Sequence, residues 1–339
     1  MKIAVTGGTG FVGSHTVAAL IAAGHQVRLL ARDPARIPAA FAPLGIEAPT
    51  DIVIGDVTDP STIERLLEGC DAVVHAASIF SLDTRDAARI RATNVEGTRL
   101  IIEAARRLNL DPIVHVSSVV ALLPASEPLN HDSPVANASG VYGQSKADSE
   151  RLAREHQAEG APVVTVMPGS VWGPHDPHFG ESCRVAADFL KGQTRTYPSG
   201  GALAIVDVRD VAATIAGAIE PGRGPRRYTT APHHVPLKDV ADSLNRITER
   251  NVRFLTLPNP LVAASIGPLG HLQRILPFRL PIPVEGIRIS MAWPPVDSSA
   301  AANDFGITWI PLDQTIADTT TTMVERGQLP SKYAGALAG

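Results

Sequence analysis

Tyr142 and Lys146 stand four residues apart in the stretch Gly140 to Glu159, which reads as a helix, so both side chains project from one face. The pairing suggests proton chemistry. A phenol with a pKa near 10 is a poor acid or base at neutral pH, and lowering it by about three units takes roughly 4 kcal/mol. An ammonium about 4 Å away, at an effective dielectric near 20, supplies about that much. Lys146 can therefore tune Tyr142 into a group that exchanges protons near neutrality. Ser117 and Ser118 close the apolar run Pro112 to Val116, and a hydroxyl there can hold a reacting oxygen while Tyr142 moves its proton. Asn94 falls on the inward stripe of a helix expected over Asp86 to Asn109, with Ile90, Gly97, Ile101, Ala104 and Leu108. A buried amide costs a few kcal/mol unless partnered, so Asn94 should bond to backbone or to an active-site water that relays the proton.

These residues need a frame, and the first thirteen residues supply its anchor. Ile3 to Val5 is a short strand, Phe11 to Ala23 reads as a helix, and between them Gly7, Gly10 and Gly13 recur every third residue. In that setting they give a tight turn, room for a pyrophosphate against bare backbone, and close approach of helix to strand. The helix N-terminus then offers free N–H groups to phosphate. The second strand, Gln26 to Ala31, ends in Arg32-Asp33-Pro34 with Arg36 close behind. Arginine first favours the 2′-phosphate of NADP, while Asp33 leaves NAD open. Asp56 suits either an adenine amino group or the cap of the turn before Pro60.

Further strands are expected at Ile52–Gly55, Asp71–His75, Pro112–Val116 and Val163–Met167, alternating with helices. The pattern predicts an α/β fold: a doubly wound parallel sheet of the Rossmann kind with a smaller mixed α/β C-terminal substrate lobe. Residues 1–168 and 203–232 are assigned to the dinucleotide-binding domain, with Leu203 to Val206 and Asp210 to Ile219 returning to it. Residues 169–202 and 233–330 are assigned to the substrate lobe, and 331–339 to a tail. His75 and His115 lie within apolar strands and are expected to be hydrogen-bonded core histidines. His175, Asp176 and His178 lack the further ligands a metal needs, so no metal is expected. His233 and His234 look like loop residues.

Composition narrows the partners. The chain has 339 residues, 44% hydrophobic, with a net charge of −4 and no basic block, which argues against nucleic acid. Two cysteines, Cys70 and Cys183, suggest a reducing compartment, and the strand starting at Lys2 leaves no room for a signal peptide. Leu261 to Leu272, the most membrane-like run, is interrupted at Pro268 and too short for a span. The expected location is the cytoplasm.

Taken in order, Thr6-Gly-Gly-Thr-Gly-Phe-Val-Gly13, Gly55-Asp56-Val57, His75-Ala76-Ala77, Asn94-Val-Glu-Gly97, Val116-Ser117-Ser118, Tyr142-Gly-Gln-Ser-Lys146, Pro168-Gly169 and Asp207-Val-Arg-Asp-Val211 resemble the extended short-chain dehydrogenase/reductases over residues 1 to about 230. The resemblance implies an NAD(P)-dependent enzyme whose catalytic roles fall on Asn94, Ser118, Tyr142 and Lys146, with Lys146 also holding the nicotinamide ribose. It selects Ser118 over Ser117, and it implies a homodimer formed through the tyrosine helix. The cofactor residues it marks, with those read above, are Thr6, Gly7, Thr9, Gly10, Phe11, Val12, Gly13, Arg32, Asp56, Val57, Ala76, Ala77, Pro168 and Ser170. Phe305 to Pro311 also resembles the closing segment of this type.

Two departures from the family pattern bear on the reaction. Sugar-nucleotide dehydratases carry an Asp-Glu pair where this chain has Val119-Val120, which cannot exchange protons. Sugar-nucleotide epimerases usually carry an asparagine where this chain runs Pro168-Gly-Ser-Val-Trp172-Gly-Pro174; Met167 also replaces a frequent arginine. Val119, Val120, Leu122, Leu123, Val171, Trp172 and Phe179 are expected to form an apolar wall, resembling the dihydroflavonol 4-reductases and 3β-hydroxysteroid dehydrogenases. The reading is an NADP-dependent oxidoreductase that moves a hydride between the nicotinamide and a small hydrophobic carbonyl or secondary alcohol. The alternatives are a nucleotide-sugar epimerase with tightly held NAD(P), and a non-catalytic NADP-sensing module.

Overall fold

The structure is a computed structural model that describes residues 1–81, 84–193, 195–265 and 284–338. Its elements are β1 (Lys2–Thr6), α1 (Phe11–Ala22), β2 (Gln26–Ala31), α2 (Ile37–Phe41), β3 (Asp51–Ile54), α3 (Pro60–Leu67), β4 (Ala72–His75), α4 (Ala87–Arg91), α5 (Gly97–Arg107), β5 (Ile113–Val116), α6 (Val141–Ala158) and β6 (Val163–Pro168). There follow β7 (Ser170–Trp172), α7 (Glu181–Lys191), β8 (Thr196–Pro198), β9 (Ala202–Asp207), α8 (Val208–Gly217), β10 (Arg226–Thr230), β11 (His233–Pro236), α9 (Leu237–Thr248), β12 (Leu255–Leu257), α10 (Val284–Met291), α11 (Ser299–Phe305) and α12 (Leu312–Glu325).

Seven strands form one sheet in the order β10-β6-β5-β4-β1-β2-β3, and every neighbouring pair is parallel. The central strands β1, β4, β5 and β6 read as near-continuous apolar runs because both faces are covered. Alternation divides each run between two cores. Ile3, Val5, Ala72, Val74, Val114 and Val116 pack with Val17 and Leu20 of α1 and Val211 and Ile215 of α8. Ala4, Val73, Ile113 and Val163 face α3, α5 and α6 instead, against Leu66, Ile101 and Ala153. The chain reverses its winding between β1 and β4, so the turn after β1 and the residues after β4 flank the crevice where such sheets bind ligands.

Toward the carboxyl ends, the face under α5 and α6 turns polar. Thr6, His75, His115 and Thr165 lie side by side in register across four strands, and all are buried. Burying such a row is costly unless the helix above supplies partners.

A smaller sheet, β11-β9-β7, pairs β9 parallel to β7 and antiparallel to β11, and β12 pairs with β8. Leu203 to Val206, expected to rejoin the large sheet, therefore belongs to the small one. Only the following helix, α8, returns to pack on α1. His233 and His234, read as loop residues, form the start of β11. The helix expected over Asp86 to Asn109 is divided into α4, a wide π turn over Ala92–Glu96, and α5. Leu108, placed on its inward stripe, is half exposed because α5 ends at Arg107 and Leu110 turns under into the core. No described helix is long and apolar enough to cross a membrane, and the Leu261–Leu272 run lies outside the described residues beyond Ser265.

Candidate active site

The three glycines of the first turn do different work. Gly7 has φ +71° and no room for a side chain against Ala76 and Ala77. A Cβ on Gly13 would lie 2.1 Å from the Gly7 carbonyl oxygen, so α1 can approach the strand only with glycine there. On Gly10 a Cβ would meet nothing nearer than that same oxygen at 3.2 Å, which leaves its outer side bare. No side chain caps the first turn of α1. Uncapped N–H groups beside a bare glycine, with partly exposed Thr9, Phe11 and Val12 around them, fit a dinucleotide's pyrophosphate.

At the tip of β2, Arg32 is 62% exposed and 3.9 Å from Asp56. The Asp33 carboxylate is taken up locally, accepting from the Ala35 N–H at 3.0 Å and facing Arg36 at 3.6 Å. Asp56 accepts from both the N–H and the hydroxyl of Thr58, so it caps its own turn. The Val57 side chain is buried against Gly97. Thr6 was expected among the cofactor residues, but its side chain is wholly buried behind that crevice. Its hydroxyl bonds His75 Nδ1 at 2.8 Å and accepts from the Ala77 N–H at 3.2 Å, so it fixes the Ala76–Ala77 segment from beneath.

The proton-handling residues gather where β5 meets α6. Ser118 caps a 3-10 turn over Val119–Leu122, its Oγ accepting from the Val120 N–H at 3.2 Å and donating weakly to the Pro168 carbonyl at 3.5 Å. Ser170 accepts from the Trp172 indole N–H at 3.0 Å. Tyr142 is 8% exposed and shares one apolar cluster with Val119, Val120, Leu122 and Leu123. Half-exposed Phe80 meets its ring edge-on, centroids 4.6 Å apart. Lys146 is buried, and its Nζ donates to the Val116 carbonyl at 3.4 Å, two residues before Ser118. Asn94 satisfies the expectation of a backbone partner: its amide accepts from the Ile79 N–H at 2.8 Å and donates to the Ile79 carbonyl at 3.0 Å. Its second donor reaches Ser145 Oγ at 3.0 Å, and Ser145 in turn bonds the Tyr142 carbonyl.

Electrostatically the site is built around one buried amine. Burial pushes Lys146 down to about 8, and the Glu150 carboxylate opposes that shift. His75, between Thr6 and Thr98, is pushed by burial to about 3, with the Lys146 charge acting in the same direction. His115 stacks on His75 at 5.8 Å and is held well below 6.5 by burial, then by His75 and Lys146. His75 is the hydrogen-bonded core histidine expected; His115 departs from that, since neither ring nitrogen has a partner among the described residues.

The apolar wall expected from sequence is divided. Val119, Val120, Leu122 and Leu123 stay with Tyr142, but Trp172 and Phe179 join the lobe core around Cys183, and Val171 packs on the α1 side of the sheet. Their places beside Tyr142 are taken by Met167, Ala204, Ala231, Trp293 and Val296. No local pattern marks Trp293 or Val296; a parallel bridge from Val296 to Leu129 brings that segment in. Asp176 accepts from the N–H groups of His178 and Gly180, shaping its own loop.

The description "NAD dependent epimerase/dehydratase family" matches residues 3–230 of this chain. Over 345 residues the chain is 31% identical to a Synechocystis sp. protein named, provisionally, a dihydroflavonol 4-reductase, covering 97% of this chain and 96% of that one. It is 29% identical to sterol demethylase protein B of Methylococcus capsulatus, covering 97% and 100%. The solved structure of gox2253 matches with a TM-score of 0.82 at 26% identity, covering 97% of this chain and 99% of that chain. That of UDP-glucose 4-epimerase from Bifidobacterium longum, with NAD+ and UDP, matches at 0.74 and 18%, covering 96% and 99%, a likeness of fold.

Proposed function

Because the chain belongs to the NAD dependent epimerase/dehydratase family and is an NAD(P)-dependent oxidoreductase acting on alcohol or carbonyl groups, we propose that it reduces a hydrophobic ketone, or oxidises the corresponding secondary alcohol, with NADP. When bound, the cofactor supplies the hydride chemistry. In the reducing direction Tyr142 gives its phenolic proton to the substrate oxygen as the carbon gains hydride, and the charged Lys146 stabilises the phenolate left behind. Ser118, aimed by its cap on the Val120 N–H, donates to the same oxygen. Asn94 supports the relay by fixing α6 to the Ile79 segment.

The observation that carries this reading is the company of Tyr142: Val119, Val120, Leu122, Leu123, Met167, Trp293 and Val296, none of them charged. Such a wall suits an apolar substrate and gives a sugar diphosphate little to bind, which sets the epimerase reading below this one. The preference for NADP rests on Arg32, exposed at the β2 tip, and on Asp33, whose carboxylate is committed to its own turn. The test is a panel of aromatic, steroidal and aliphatic ketones assayed with NADPH and NADH, for the parent and for Tyr142→Phe. Activity on a hydrophobic ketone, lost by about 10²-fold or more in the variant, is expected. A Tyr142→Phe enzyme of undiminished activity would overturn the assignment.

A further inference from the structure

Tyr142, Lys146, Glu150 and Arg154 occupy one stripe of α6, a turn apart. Glu150 is 0% exposed. One carboxylate oxygen accepts from Arg154 Nε at 2.7 Å, and the other has no hydrogen-bond partner among the described residues. Arg154 is anchored by its bond to the Ser133 carbonyl at 2.8 Å, yet its remaining Nη is buried without a partner. Burial is the largest influence on the Glu150 carboxyl and raises it above the usual carboxylate range; Arg154, and after it the nearby Ser117 hydroxyl, pull the other way and favour the anion, although Ser117 meets no hydrogen-bond geometry among the described residues. A native protein partners nearly all such atoms, so this concentration under the proposed reaction centre calls for a role other than stability.

Resting on the reading of Tyr142 and Lys146 given above, we propose that Glu150 is a positioning residue for the reaction. Its carboxylate, one turn beyond Lys146 and clamped by Arg154, keeps the buried amine cationic beneath Tyr142. The charges around the amine leave this task to Glu150. His75 on β4 and His115 on β5 face Lys146 as neutral rings, too hard to protonate to act as counter-ions or as competitors. Arg91, on the helix packed across α6, is paired with Asp148 at 3.1 Å. Arg227 on β10 favours the Glu150 anion from a distance while pairing with Asp132 at 2.7 Å. Burial alone drives Lys146 toward its neutral form, which would leave the phenol untuned.

The chain has five lysines, so the Lys146 side-chain amine can be titrated by NMR in lysine-labelled protein and assigned by its absence in Lys146→Met. In the parent the midpoint should lie near 8. In Glu150→Gln it should fall by about one pH unit or more. Arg154→Met, which lets Glu150 take up a proton, should move it the same way, and Arg154→Lys should restore it. With a ketone substrate, the alkaline limb of the kcat/KM profile should move acidward by the same interval in Glu150→Gln, with activity recovered at lower pH. A midpoint and alkaline limb unchanged in both Glu150→Gln and Arg154→Met would overturn the proposal, and if one variant does not fold the other decides. The titration needs no substrate, so it separates the two readings: an inactive Tyr142→Phe with an unmoved Lys146 sinks only this inference. An active Tyr142→Phe sinks the catalytic assignment itself.

Discussion

Asp207 and Glu150 are both 0% exposed carboxylates that face an arginine, yet only one of them is complete. Asp207 accepts from the Arg209 N–H and Nε on one oxygen, and from Arg209 Nη2 and the Thr315 hydroxyl on the other. Arg209 continues to Asp318 at 2.7 Å, so the node ties the small sheet to α12 and both carboxylate oxygens of Asp207 accept two bonds each. On the α6 stripe Glu150 Oε2 and an Arg154 Nη, and on β5 beneath it both His115 nitrogens, have no hydrogen-bond partner among the described residues. A satisfied buried network specifies how elements dock; an unsatisfied one holds electrostatic strain that can act on a neighbouring group. The first reads as joinery, the second as part of the chemistry.

That distinction can be broken by substitution. The largest effect on stability is expected from Asp207→Asn, which leaves Arg209 and Thr315 facing an amide. It should cost about 3 kcal/mol in denaturant unfolding, moderated because Arg209 is 37% exposed and can turn to Asp318. If Asp207→Asn unfolds like the parent, the node is not joinery.

Lys146→Met should abolish activity and yet stabilise the fold at pH 7 by up to roughly 3 kcal/mol, since the amine is held near 8 against an ordinary 10.5. The sign follows from proton counts. Between about pH 8 and 10.5 the unfolded chain binds the lysine proton and the native protein does not, so parent stability rises with pH across that window relative to the variant. Below pH 8 both states are protonated and the full burial penalty stands. Parallel stability–pH curves for the two proteins would contradict this.

Smaller consequences lie at the rims. Arg32→Ala should raise KM for NADPH about tenfold and leave NADH unchanged in steady-state assays. Arg246→Ala removes an ion pair whose side chains are 60% and 49% exposed, and its melting curve should move by no more than about 0.5 kcal/mol equivalent.

Much of this was legible in the sequence, for local reasons. Strands β1 to β6 fall within about a residue of their expected bounds because such strands of a parallel sheet read as largely apolar runs closed by turn residues. The positions of Tyr142, Lys146 and the glycines were legible because their spacing puts them on one helix face or in one strand-to-helix turn, whereas the choice of Ser118 over Ser117 came from the family resemblance. What failed depended on distant chain. The π turn at Ala92–Glu96 and the early end of α5 rotated Leu108 out of the stripe. Leu203 to Val206 has the composition of a core strand, but its partner was decided by β7 and β11. Trp293 joins the cluster of Tyr142 through long-range contacts, among them the bridge from Val296 to Leu129 and the bond of its carbonyl to His234, and nothing local in the sequence marks Glu150 as buried.

Asn94 grips Ile79 as a neighbouring strand would, taking its N–H and giving to its carbonyl, while its other hand holds the helix of Tyr142. The segment that carries Phe80 is thereby welded to the tyrosine it overhangs. Trp293 and Val296, which share the apolar cluster of Tyr142, come instead from a segment tied to Leu129 and His234, so the surroundings of that one ring are assembled from stretches far apart in the sequence.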